Sequence, residues 1–471
     1  MEILQRGLAY AAPAGVIVRA APVLSVAEAA RRVSVGADPI WLSSPGLDSS
    51  GGREVMTDVI AAGPRTVVRG GDLETLQDAW ADARARWQGA GPGGPVGIPV
   101  GIGWLSYDLA RSWIAVAGAV EAPPSSGGLE FRFFDALWIR DVATGTARIV
   151  ACDAAAAARL ETLLERPALP APAPPVGPLQ DAHGRGAHQQ AVARIKDYLL
   201  AGDAYQVNLA RRLTATMGAG DPLWLPVALR AAAPAPHALW MGTRSVVDGP
   251  VDGGIVGNSP ERFLRVSSER AIETQPIKGT RPRSSDPARD AALRAELLAS
   301  SKDRAEHVMI VDLERNDLGR VCEIGSIRVD DLMRVLELPT VFHLVSTVRG
   351  RLRPEVGLAQ LLRACFPGGS VTGAPKQRAM QIIDELEPVR RGIYTGATGW
   401  LGAGGDLDLA VAIRTATIAS GTLSLFVGGG IVADSDPATE WEETEVKARA
   451  FRAACDGAAG PRLSEVAGEP A

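Results

Sequence analysis

Paired cysteines are missing from this chain. Its four, Cys152, Cys322, Cys365 and Cys455, stand far apart and form no CxxC pair. That spacing argues against a structural zinc and for reduced thiols in a cytoplasmic protein. No run of about 18 apolar residues occurs, so no membrane span is expected. The opening MEILQRGLAYAAPAGVIVRA has no basic start followed by an apolar run and a small-residue cleavage site, so no signal peptide is expected. There is no large excess of one charge either. A net charge of -5 gives no reason to expect nucleic acid or an anionic membrane as the main partner. A small anion stays open, because local sites decide that. Internal repeats are absent. What remains is ordinary globular material, 46% hydrophobic and 22% charged over 471 residues, enough for roughly two to four domain-sized units.

The clearest seam is RPALPAPAPPVGPLQ, Arg166 to Gln180, a Pro/Ala stretch that predicts extended, exposed chain. It divides residues 1–165, mixed α and β, from a second region over 185–457, with 166–184 as linker and 458–471 as a tail. FRFFDALWIRDVATGTARIVACD predicts a hairpin around a Thr-Gly turn. Beyond the seam, HQQAVARIKDYLLAGDAYQVNLARRLTATM predicts a helix ending near Gly202 and then an alternating strand. RFLRVSS and AIETQPIKG predict strands, and a helical pattern runs from Ala288 to Asp317. VGLAQLLRACFP predicts a helix stopped by Pro367, and KQRAMQIIDELEPVRRG another. YTGATGWLG, LDLAVAIRTATIASG and TLSLFVGGGIVA predict consecutive antiparallel strands. A last helix should open with Asp436 as N-cap and Pro437 in its first turn, and stop at Gly457. Strands in series with interspersed helices predict an α+β fold with large antiparallel sheets.

Two predicted helices offer acidic residues three apart on one face: Asp303 and Glu306 in SSKDRAEHVMIVDL, and Glu440 and Glu443 in ATEWEETEVK. Hard divalent cations want carboxylate oxygens, and Mg²⁺ takes one or two from protein and completes its shell with water or substrate. Two such faces meeting would make that site; singly, each is an ordinary solvated face. DLERNDLGRVCE mimics a calcium loop, but its sixth position is Asp317 where glycine is required, and Leu313, Arg315 and Leu318 fit a continuing helix. GGSVTGAPKQR is not a nucleotide phosphate loop, since Ala-Pro follows Gly373 where Lys-Ser/Thr would be needed. It can still wall an anion pocket. Gly428 to Gly430 in VGGGIV allow a backbone to approach a ligand closely, or mark a bulge. Arg414 in VAIRTA lies in an apolar alternating run, where a guanidinium must be paired or must bind an anion. His343 in VFHLVS reads most simply as a satisfied core histidine, and Glu261 in GNSPERF, after a proline turn at a strand start, as a surface carboxylate.

Taken together, NSPERF, QPIKGT, SSKDRAEHVMIVDLERNDLGRVC, HLVSTV, GGSVTGAPKQRAM, RGIYTGATGWL, IRTA and GGGIVADSDP…EWEETEVKA resemble, in order over roughly 185–457, the motifs of the chorismate-utilising enzymes. The first third is similar more loosely, through GWLSYDLAR and IWLSSPG. The resemblance implies a chorismate-binding sandwich of two large antiparallel sheets wrapped by helices, with the N-terminal third contributing strands. It implies Glu306 and Glu443 as Mg²⁺ ligands, with Asp303 and Glu440 as outer partners; many members carry glutamate where Asp303 stands. Arg414 and Tyr394 would bind the enolpyruvyl carboxylate. Gly428, Gly429 and Gly430 with Thr280 would hold the ring carboxylate, with Lys447 close by. Ser370, Thr372 and His343 would line the ring pocket, and Glu261 would be the general acid at the C4 hydroxyl. Ser44 in IWLSSPG lies where the anthranilate branch binds tryptophan, though a strand end and turn account for it as well.

Two positions bear on the reaction. Water-using members are similar but look to carry a lysine base where this chain has Gln206 in AYQVNLARR, and an amide cannot deprotonate water. PIKGT resembles the aminodeoxychorismate synthase component I pattern, whereas anthranilate synthase usually reads PIAGT. Amination at C4 with retention needs two displacements, and Lys278 attacking C2 supplies the first. A free lysine near pKa 10.4 is protonated at pH 7, so the role requires enclosure beside neighbours such as Ile277. No cysteine sits in a Gly-rich nucleophile elbow, so the resemblance implies ammonia from a separate glutamine amidotransferase, with the chain a monomer or a heterodimer with it. A separate lyase would carry the product to 4-aminobenzoate. The other readings are anthranilate synthase component I and a non-catalytic carboxylate-binding protein on the same scaffold.

Overall fold

The computed structural model describes residues 16–35, 37–47, 54–88, 96–116, 128–168, 172–246, 250–338 and 341–457. The expected tail at 458–471 lies outside them. The first third supplies β1 (Ile17–Ala20), α1 (Val26–Val33), β2 (Ile40–Leu47), β3 (Glu54–Ala61), β4 (Thr66–Gly70) and α2 (Leu73–Trp87). It continues with β5 (Pro99–Leu105), β6 (Leu129–Phe133), β7 (Ala136–Asp141), β8 (Ala147–Ala151) and α3 (Ala154–Leu164). After the seam come β9 (Gln180–Asp181), α4 (Gly184–Leu200), β10 (Gln206–Thr216), α5 (Trp224–Ala232), β11 (His237–Thr243) and β12 (Gly253–Ser259). Then follow β13 (Arg262–Val266), β14 (Ala271–Thr274), β15 (Ile277–Pro282), α6 (Pro287–Ala299), α7 (Ser301–Gly319), β16 (Arg328–Glu337) and β17 (Val341–Arg351). The last stretch holds α8 (Leu358–Cys365), β18 (Gly373–Ala374), α9 (Lys376–Leu386), β19 (Ala397–Gly402), β20 (Leu407–Val411), β21 (Thr415–Ala419), β22 (Thr422–Ile431) and α10 (Pro437–Asp456).

These strands form two antiparallel sheets. The larger has 12 strands, in order β1-β8-β7-β3-β2-β11-β12-β21-β22-β10-β18, with β9 also on β10. The other has 10, in order β15-β17-β14-β13-β20-β19-β5-β6-β4, with β16 also on β17. Both sheets mix strands from before and after the seam. Alternation along β2 explains how the layers close. Ile40 and Leu42 turn into a core shared with Phe131, Phe133 and Leu409 of the second sheet. Trp41 turns the other way, into a second core with Trp138 and Trp240, covered by α1, α3, α5 and α10. The fold is thus α+β, two large antiparallel sheets with helices outside. Among the described residues no helix is long and apolar enough to cross a membrane.

Four expectations change in detail. The seam is extended but docked: Gly177 donates to Thr216 O and Asp221 to Pro172 O, both at 2.9 Å, and Leu179 is buried. The helix expected over Ala288–Asp317 breaks at Ser300, whose ψ of 107° leaves the helical region and whose hydroxyl caps α7 through Asp303 N. AIETQPIKG is two strands, β14 and β15, both paired with β17. LDLAVAIRTATIASG is also two strands, β20 in one sheet and β21 in the other. Arg414 sits at that crossing with a φ of +50°, not within a strand. The final helix is as read, with Asp436 at the N-cap, accepting from Thr439 N, and Gly457 at the C-cap.

Candidate active site

The three glycines of β22 are not a bulge. Gly428, Gly429 and Gly430 pair in unbroken register with Ala210, Leu209 and Asn208 of β10. Their bare Cα atoms leave room for side chains gathered around them. A Cβ on Gly428 would stand 2.9 Å from the Tyr394 hydroxyl, and one on Gly430 would collide with the Gln206 amide and stand 3.4 Å from Lys278 Nζ. One on Gly429 would stand 3.4 Å from Glu440 Oε2 and 3.7 Å from both Glu443 Oε1 and Lys447 Nζ. Six of the residues singled out in the sequence therefore meet on a backbone floor.

Lys278 comes to this floor from the other sheet. The register of β15 on β17 slips between Lys278 and Thr280, and Gly279 takes a φ of +77° that favours glycine. The ammonium or amine of Lys278 donates to Ser370 O at 3.3 Å. Burial pushes its pKa down, while the Glu306 and Glu261 carboxylates pull it back. Glu261, fully enclosed at the turn between β12 and β13, is pushed the opposite way: burial raises its pKa, against hydrogen bonds from Ser370 and Ile277 N. The pair thus holds a lysine that loses its proton more easily and a carboxylic acid that holds its own more firmly than either would in water. Gln206 is wholly buried, and neither its amide oxygen nor its nitrogen has a hydrogen-bond partner.

Opposite stand the remaining polar groups. Thr280 and His343 share a hydrogen bond of 2.8 Å between Oγ1 and Nδ1, which leaves His343 Nε2 buried and unpartnered. Burial, then the nearby Arg414 charge, pushes the His343 pKa down to about 4, so the ring is neutral at physiological pH. Arg414 is largely enclosed, burial lowers its pKa and Glu261 faces it, yet among the described residues no carboxylate forms an ion pair with it. An enclosed guanidinium without a carboxylate partner is a seat for an anion. Tyr394 stacks on Phe426 with ring centroids 5.4 Å apart, and burial raises its pKa. Ser370 faces Lys278 and Glu261. Thr372 does not face them with its hydroxyl, which donates to Gly368 O at 2.9 Å in its own turn.

The acidic pairs of α7 and α10 also converge. Burial raises the pKa of Glu306, with Asp303 and Glu443 adding to the rise. Glu443 is held low by Lys447 at 2.7 Å; its side chain keeps 51% of its surface accessible although protein surrounds it, as for a group lining a cavity. Lys447 also donates to Gly428 O at 2.7 Å. Glu440 accepts from Ser435 at 2.6 Å and faces Lys302 at 3.8 Å, and Asp303 accepts from Arg281 at 3.2 Å. Among the described residues no three such side chains already form a ligand cluster. Glu306 and Glu443, which repel each other, still fit a hard cation that needs two protein carboxylates and takes its other oxygens elsewhere.

Ser44 lies apart from these groups. Its hydroxyl accepts from Trp400 at 3.3 Å, while its neighbours Trp41 and Ser43 line a separate cavity of about 240 Å³ with Asn258 and Arg230. Two residues were missed. Glu314, read only as part of a failed calcium loop, is buried against the Gly369 turn, and Arg391 ties Asn208 O, Val371 O and Glu387 together beneath Tyr394. Helical spacing puts Glu314 and Asp317 on the face of α7 that buries His307, Ile310, Val311 and Leu318, but does not show what that face meets.

The sequence profile of the chorismate binding enzyme family matches residues 38–453. An anthranilate synthase component 1 from Streptomyces coelicolor is 42% identical over 74% of this chain and 71% of its own. An aminodeoxychorismate synthase component 1 from Klebsiella aerogenes is 50% identical over 53% of this chain, a match that spans only 54% of that relative's length. In three dimensions, the crystal structure of anthranilate synthase component I from Streptococcus pneumoniae aligns with a TM-score of 0.67 at 27% identity, covering 95% of this chain and 94% of that one.

Proposed function

The chain belongs to the chorismate-binding enzyme family, and from that premise we propose that it is an aminodeoxychorismate synthase component I, which aminates chorismate at C4. The observation that carries this reading is Lys278, an enclosed amine with a depressed pKa, set between Glu261 and the glycine floor. In the proposed reaction, neutral Lys278 forms a bond to C2 of the ring. The two ring double bonds shift and the C4–O bond breaks. Glu261 gives its proton to the departing oxygen, which leaves as water. Ammonia then bonds to C4, the double bonds shift back, the C2–N bond to Lys278 breaks and returns the amine, and the new C4 ammonium gives a proton back to Glu261. Net, one ammonia is taken up and one water released.

Arg414 and Tyr394 would seat the enolpyruvyl carboxylate, and the N–H groups of Gly428 to Gly430 with Thr280 the ring carboxylate. His343 and Ser370 would border the ring. Gln206, an amide, cannot itself deprotonate water. Glu306 and Glu443 would hold Mg²⁺, backed by Asp303 and Glu440. Bound there, Mg²⁺ would neutralise the ring carboxylate. Relatives named component 1 support a glutamine amidotransferase partner that supplies ammonia. Four free cysteines and no membrane-crossing helix among the described residues support a cytoplasmic enzyme, whose product would feed 4-aminobenzoate and folate.

A second reading, anthranilate synthase component I, is favoured by the 42% identical relative that spans most of this chain. Incubation with chorismate, Mg²⁺ and ammonium separates the two by chromatography. We expect 4-amino-4-deoxychorismate; anthranilate with pyruvate would overturn the assignment.

A further inference from the structure

We propose that Glu314 is the positioning residue that fixes the Gly369–Ser370 turn and thereby aims Lys278 and Glu261. The inference rests on the site described above but not on which product leaves it. Ser370 is bonded to both groups, through its carbonyl to Lys278 Nζ and through its side chain to Glu261. The turn that carries it contains glycine where support is needed, and Glu314 supplies the support: its Oε1 accepts from Gly369 N at 2.9 Å. The fit is close. A Cβ on Gly369 would stand 2.5 Å from Leu313 Cδ2 and 3.2 Å from Glu314 Oε1.

The other carboxylate oxygen of Glu314, Oε2, is buried with no hydrogen-bond partner, and the residue is 3% exposed. Such a burial is costly unless the group stays neutral. Burial and the Asp317 carboxylate both raise its pKa, so the proton stays on Glu314. Asp317, one turn later on α7, keeps a cation partner in Lys376 at 2.6 Å, and Lys376 opens α9 just beyond the turn. Helix α7 therefore grips the loop at two points. At its other end the same helix presents Asp303 and Glu306. A shift of α7 on filling that end would move Ser370 with it.

The test measures chorismate consumption by the full chain, whatever the product, for Glu314→Ala, Glu314→Gln and Gly369→Ala. Gln keeps the oxygen that accepts from Gly369 and carries no charge, so its kcat should stay within about twofold of the parent. Ala should lower kcat about 10- to 100-fold with the chorismate KM within about twofold, the pattern of misaimed reacting groups. Gly369→Ala should show the same split, and the double variant Glu314→Ala/Gly369→Ala should be no worse than either alone. Parental kcat in Glu314→Ala, or equal damage from Gln and Ala, would overturn the proposal. If Glu314→Ala does not fold, Glu314→Gln and Gly369→Ala still decide it. If the parent makes anthranilate, the product assignment falls and this pattern stands.

Discussion

At the scale of single residues, the fold moves two pKa values toward each other, and the proposed reaction uses both. In water a lysine is neutral only at high pH and a glutamic acid protonated only at low pH, so the two states hardly coexist. Burial lowers the first and raises the second here. The rate should rise with pH as Lys278 loses its proton, then fall as Glu261 loses its own. Measured as kcat/KM for chorismate at fixed free ammonia, the profile should be a bell. No limb should come from His343, neutral above about 4. Lys278→Ala should abolish the bell and cut C4 amination by roughly two orders of magnitude or more. Unchanged amination would remove the nucleophile from the scheme. Lys278 could be singled out because it stands in the PIKGT motif. Glu314 was not, because its role is set by a turn 55 residues away in sequence, and spacing within one helix cannot show what that helix will face.

At the scale of elements, the helices and strands were legible where a local signal marked them. Asp436, Pro437 and Gly457 bound α10 as capping chemistry requires. The misreadings share one cause. A polar or apolar pattern can run through a break that tertiary structure imposes, as at Ser300 between α6 and α7, and at Arg414 where the chain leaves one sheet for the other. The same crossing leaves Arg414 enclosed, with Glu261 near it, between the two strands and not within either. The glycine run of β22 carries its own prediction. Gly430→Ala puts a methyl into the Gln206 amide and toward Lys278. The clash should cost some stability, but because β22 keeps its pairing the variant should fold, with kcat/KM roughly tenfold lower or more. A variant with parental kcat/KM would show that nothing binds against that strand.

At the scale of the whole molecule, the Pro/Ala seam looked like a boundary and is not one for the sheets. β2 pairs with β11, and β5 with β19, so each sheet is closed by strands from both sides of the seam. A fragment over 185–457 would lack the strands that cover β11 and β19 and about half of the shared core. It should give no cooperative thermal transition and should aggregate on size exclusion, whereas a folded, monomeric fragment would show two independent domains. Composition could not reveal this, since linker-like residues report local exposure and say nothing of which strands find one another. The arrangement also reaches back to synthesis. While the ribosome is still translating the second half, β2 and β5 of the nascent chain stand as bare hydrogen-bonding edges. They wait for partners that emerge only at 237–243 and 397–402. Yield in a heterologous host should therefore depend on chaperone supply and growth temperature more than on the stability of the finished enzyme.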